Sequence, residues 1–216
     1  MGSTGPTAFT PTNASVVDNF NIYDGANYAA VDPLLGQTLS SLGNGGIAAR
    51  IADQIITATT FPRVIVVPCA VGGSTTSMWA AGGVLYNRLN VAMNRLEARG
   101  ITPSTTNVTF AIVYQIGANE HGIPQATFQA NVAQTIANVK AAGFSGRVFI
   151  QQYSRAGNVT DSTIRAAQAA LVDGVTYFSG GDIDAVTATG SNLQADQTHL
   201  SAAGQAAAAT TIYNAI

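Results

Sequence analysis

Charge is what this chain has least of. Nine Lys and Arg and eleven Asp and Glu among 216 residues leave a formal net charge of −2, and Lys140 is the sole lysine. So few cations build no basic patch able to track a phosphate backbone, which argues against a nucleic-acid partner. A single cysteine, Cys69, excludes an internal disulfide and a cysteine-rich metal site. At the end of an apolar run it reads as a buried, inert thiol. Hydrophobic residues reach 47%, much of it alanine, yet no run of 18 apolar residues occurs, so no membrane span is expected. There are two histidines, His121 and His199. Any histidine-dependent chemistry has to run through one of them.

What is abundant is neutral polarity. A surface rich in Thr, Asn, Gln and Ser suits a secreted, particle-associated or cell-surface protein, although the first residues do not read as a signal peptide. The length suits one well-buried domain over residues 1–216, with a loop-rich segment at 1–42 where Gly, Pro, Thr and Asn follow no sustained period. Beyond it, Ile47, Ile51, Ile55 and Ile56 recur at helical spacing over residues 45–59. Residues 63–68 form a continuous apolar run of the kind buried on both faces of a sheet. Further strands are expected at 108–116, 147–152 and 175–178, and helices at 84–99, 124–143, 161–172 and 201–214. Alternating strands and helices with long crossovers predict a parallel α/β sheet covered on both faces. In such sheets ligands bind beyond the carboxyl ends of the strands.

Three segments fall at such positions. Val71-Gly72-Gly73-Ser74 follows the first of these strands, with Trp79 shortly after, and Gly117-Ala118-Asn119-Glu120 follows the second. Asp196-Gln197-Thr198-His199-Leu200 follows the last. An Asp-x-x-His segment can fold back so that the Asp accepts from imidazole Nδ1, leaving Nε2 to take a proton from a hydroxyl nucleophile. Its structural alternative is a helix cap, in which Asp196 or Thr198 starts the alanine-rich helix and His199 is merely exposed.

Together the three segments resemble the blocks of an SGNH hydrolase of the GDSL superfamily, in the branch of carbohydrate O-acetylesterases such as sialate O-acetylesterase. The resemblance covers roughly residues 20–216. It implies a three-layer, flavodoxin-like sandwich around a central parallel sheet, and a serine esterase acting on small acyl esters, acetyl esters of carbohydrate among them. It implies His199 as base and Asp196 as its orienting acid. The oxyanion donors would be a backbone N–H at Gly73 and the Asn119 amide, with Trp79 and His121 as substrate contacts. Trp79 and Tyr114 are candidates for a sugar-stacking wall. No metal or organic cofactor is implied; the partner is a small-molecule or carbohydrate ester.

The chain departs from the family at one place. The first block, a strand followed by the turn that carries the nucleophile, is not recognisable, and four strands are read where the resemblance implies five. The nucleophile is therefore open between Ser3 in Gly2-Ser3-Thr4-Gly5, Ser74, and a serine upstream of this chain. Without one, the same sequence reads as a non-catalytic carbohydrate-binding or structural module of the same fold.

Overall fold

A computed structural model describes residues 5–37, 45–105 and 107–216. The chain divides into two compact units, Met1–Gly72 with Asp182–Ala215, and Gly73–Gly181 joined by Ile216.

In the first unit, strand β1 (Val17–Asn21) pairs antiparallel with β2 (Ala26–Ala29) and parallel with β3 (Val64–Val66). Val17 and Phe20 of β1 are wholly buried. Helix α1 (Ala48–Ala58) buries Ala49, Ile51 and Ala52; of the four isoleucines at helical spacing only Ile51 is fully buried, Ile47, Ile55 and Ile56 being half-buried. Val17, Ala30, Leu34, Ala49 and Ala52 form one core, against which Phe9, Ile56, Val64 and Val66 pack. Two short helices follow, α6 (Ile183–Thr187) and a 3-10 turn at Gly190–Asn192. The last helix, α7 (Ala202–Tyr213), is started by Ser201, whose hydroxyl accepts from the N–H of Gly204. A Cβ on Gly204 would stand 2.0 Å from the Asn192 carbonyl, so glycine is what lets this helix approach the 3-10 turn.

The second unit contains β4 (Ala111–Tyr114), β5 (Arg147–Gln152) and β6 (Tyr177–Asp182), in the spatial order β4-β5-β6, with β4 and β5 parallel. After the short helix α2 (Thr76–Trp79) comes α3 (Arg88–Glu97), which buries Ala92, Met93 and Leu96. Helix α4 (Gln125–Ala141) turns Phe128, Val132, Ile136 and Val139 inward at spacings of four and three. Each such side chain contributes about 1.5–3 kcal/mol of transfer free energy when fully buried. Helix α5 (Ser162–Leu171) is capped by Asp161, which accepts from the N–H groups of Thr163 and Ile164. It packs on α4 and β5.

Two expectations need correction. Residues 1–42 are not simply loop, since β1 and β2 lie within them. The pattern is disguised because Asn19 is buried: its amide exchanges hydrogen bonds with both backbone groups of Leu35. The run at 63–68 is also not buried on both faces. Val64, Ile65 and Val66 are half-buried, and Ala111 and Val113 of β4 are exposed. Both strands stand at the end of their three-stranded sheet, where a neighbour covers one side only.

Candidate functional site

In the first unit the segment between Leu193 and Leu200 is a closed loop. These two buried leucines form an antiparallel bridge, and the Gln194 N–H donates to the His199 carbonyl at 2.8 Å. Inside it, Gln197 has φ +56°, which reverses the chain so that Asp196 faces His199. One Asp196 oxygen accepts from the N–H of His199 at 2.9 Å and of Thr198 at 3.0 Å. The other lies 2.6 Å from Nδ1 of His199. The capping alternative is thereby settled: Ser201, not Asp196 or Thr198, starts α7. Partial burial pushes the Asp196 carboxyl up. The hydrogen bonds from the His199 backbone, the imidazole and the Thr198 backbone outweigh it and hold the pKa at about 2. Asp196 is thus an anion at neutral pH, and its bond to Nδ1 orients the ring with Nε2 opposite.

In the second unit two loops are tied together. Gly73 has φ +74°, a conformation that favours glycine, and a Cβ there would meet nothing within 4 Å. Its backbone therefore borders open space. The loop after β4 begins at Gly117, where a Cβ would stand 1.8 Å from the Tyr153 carbonyl, and it turns through Ala118 and the exposed Asn119. Glu120 is buried and its carboxylate accepts from the N–H of Thr76, the first residue of α2. This one carboxylate joins the glycine loop to the asparagine loop. It also lies near Tyr114, whose phenol is pushed above its usual range by burial and by the Glu120 charge.

The other residues singled out from sequence fall as follows. Ser3 lies outside the described residues. Ser74 is buried, and its Oγ accepts from Nε1 of Trp79 at 3.0 Å. The indole of Trp79 is itself buried, as is Tyr114. His121 is exposed and its Nε2 sits 2.6 Å from the Ser154 carbonyl.

His121 also has an acidic neighbour that sequence reading missed. Asp161 accepts from the N–H of Gly122 at 3.1 Å and feels the charge of His121. Slight burial raises its carboxyl, but the N–H groups of Gly122, Ile164 and Thr163, with His121, hold it below the usual value. The two residues stand 40 positions apart, and no local motif announces the pair. Among the described residues no cluster of three or more His, Cys, Asp and Glu is placed to hold a metal, and no helix is long and apolar enough to cross a membrane.

Comparison with solved structures agrees with this architecture. A protein of Arabidopsis thaliana superposes with a TM-score of 0.73 at 19% identity, over 96% of this chain and 84% of its own. The psychrotrophic esterase EstA of Pseudoalteromonas sp., solved in a form inhibited by monoethylphosphonate, gives a TM-score of 0.51 at 14% identity, over 79% of this chain and 85% of its own. A Bacillus subtilis protein gives 0.53 at 18%, over 80% of this chain and 51% of its own. At these identities the likeness is one of fold, the α/β fold of SGNH hydrolases. No curated protein matches by sequence. The family model described as carbohydrate esterase, sialic acid-specific acetylesterase, matches residues 19–216, and the chain belongs to that family.

Proposed function

We propose that this protein is a serine esterase that removes small acyl groups, acetyl above all, from carbohydrate. The observation that carries the reading is the 2.6 Å contact between His199 Nδ1 and the ionised Asp196. With Nδ1 engaged, Nε2 takes the proton of a serine hydroxyl as that oxygen attacks the ester carbonyl. The tetrahedral intermediate collapses as Nε2 returns the proton to the departing sugar alcohol. A water then attacks the acyl-serine with His199 again as base, the acid leaves, and the serine regains its proton. The negative oxygen formed in each half is held by the Gly73 N–H and the Asn119 amide. Family membership supports the acetyl ester as substrate.

The nucleophile assigned in this reading is Ser3. Ser74 is the weaker candidate because its oxygen is already the acceptor for Trp79. A serine-reactive phosphonate followed by peptide mass mapping tests the assignment. Label on Ser3 that disappears in His199→Ala supports it; label on Ser74 moves the nucleophile. Absence of label, together with absence of ester hydrolysis, removes both Ser3 and Ser74 and leaves either a serine upstream of this chain or a binding module of the same fold.

A further inference from the structure

The rings that the sequence offers as a sugar-stacking wall, Trp79 and Tyr114, are buried at 5% and 8% exposure. Exposed rings occur instead in the segment running from the β1–β2 turn into β2, where Tyr23 is 62% and Tyr28 41% exposed. β1 and β3 run parallel, Val17 opposite Val64 and Asn19 opposite Val66, so this turn leaves the sheet at the same edge as residues 67–72. Gly36 lies beside both segments. A Cβ placed on Gly36 would stand 3.3 Å from the Asn21 side chain and from Ile22 N, and 3.4 Å from the Pro68 carbonyl. The exposed rings thus occupy the carboxyl edge of this sheet, where α/β folds bind ligands.

The turn is held by one carboxylate. Asp24 accepts from the N–H of Ala26 at 2.9 Å, from the Asn21 amide at 2.9 Å and from the Tyr28 hydroxyl at 2.8 Å. The Asn21 side chain in turn accepts from the N–H of Tyr23 at 3.0 Å. These bonds pin the Tyr28 hydroxyl and the Tyr23 backbone while leaving Tyr23 mostly and Tyr28 partly in solvent, which lowers the ordering cost of binding. The charges on this segment itself have one sign, although Asp32 also feels the cation of Arg50 in α1. Residues 21–37 contain Asp24 and Asp32 and no Lys, Arg or His. Hydrogen bonds from Ala26 and Tyr28 keep Asp24 below its ordinary pKa, so it is an anion at neutral pH.

We propose that Tyr23, Asp24 and Tyr28 form the subsite that receives the alcohol part of the ester as an uncharged pyranose ring. This deepens the esterase reading and rests on it. A pyranose offers apolar C–H faces to aromatic rings and hydroxyls to carboxylate and amide oxygens. An anionic sugar such as a sialic acid would bring its carboxylate toward Asp24 with no cation on the turn to offset the repulsion. The family's description thus fits the acyl chemistry here, and the sugar is selected by the opposite criterion of charge.

Binding is measurable apart from hydrolysis. In amide NMR titrations with xylotetraose, the signals of residues 21–28 should shift. Tyr23→Ala and Tyr28→Ala should each weaken binding about tenfold, roughly the loss of one ring's stacking. Tyr28→Phe, which keeps the ring, should retain most of it. A trimer of sialic acid should leave these signals in place, and Asp24→Asn should let it shift them. The inference is overturned if xylotetraose shifts other residues or none, or if the sialic acid trimer binds the wild-type turn equally well. Failure of the esterase reading shows separately, as absence of ester hydrolysis and of phosphonate label, and has no bearing on where xylotetraose binds.

Discussion

Asp196 holds His199 twice, through the backbone N–H at 2.9 Å and through Nδ1 at 2.6 Å, within one tight loop. The acid therefore fixes both where the imidazole starts and which way it faces. Asp196→Asn keeps the shape but offers an amide N–H where Nδ1 needs an acceptor, and so favours the wrong tautomer. The expected loss in kcat is about 10⁴-fold, with a circular dichroism spectrum like that of the wild type. A rise in KM alone would point to a substrate contact instead.

The same pair predicts a pH dependence of stability. The Asp196 pKa is lowered in the folded chain from its ordinary carboxylate value to about 2. A lowered carboxylate pKa contributes stability that is fully present above the unfolded value and is lost as pH falls through the folded one. Thermal melts of wild type and Asp196→Asn should therefore differ by a constant amount at neutral pH. The two should converge as pH drops from about 4 towards about 2.

On the other side of the chemistry, Asn119→Ala should lower kcat by about 10²–10³-fold with little change in KM, the signature of a donor used in the transition state. Gly73→Ala should also lower kcat. Its new Cβ meets nothing within 4 Å, so the damage comes from forcing an alanine to φ +74° and shifting the N–H, at a cost of about 1–2 kcal/mol.

Glu120 makes a prediction about stability rather than rate. Its buried carboxylate is the acceptor for Thr76 N–H. Glu120→Asp withdraws the acceptor by one methylene and leaves a buried N–H unpaired, which should cost about 1–3 kcal/mol in urea unfolding. Glu120→Gln, which keeps an oxygen at the same reach, should cost less.

How far these features were legible follows from the distance over which each acts. The Asp196–His199 bond spans three residues, so its possibility is written in the local sequence, and only the competing role of Ser201 as helix cap needed coordinates. Helices α4 and α7 end within a residue or two of the positions read from the sequence. Strands β1 and β2 were hidden because Asn19 is buried by satisfying its amide on the Leu35 backbone, 16 residues away. Glu120 with Thr76 and Asp161 with His121 are pairings across 44 and 40 residues, set by how helices and strands pack. The buried state of Trp79 was equally invisible, since an aromatic after a strand suits a core and a sugar wall alike.

The most direct test is the hydrolysis of 4-nitrophenyl acetate by the wild-type chain beside His199→Ala. If His199 is the base that Asp196 orients, the wild type turns over and the variant, still folded, falls by about 10³-fold or more. Equal rates in the two proteins, or no turnover by the wild type, would contradict the account.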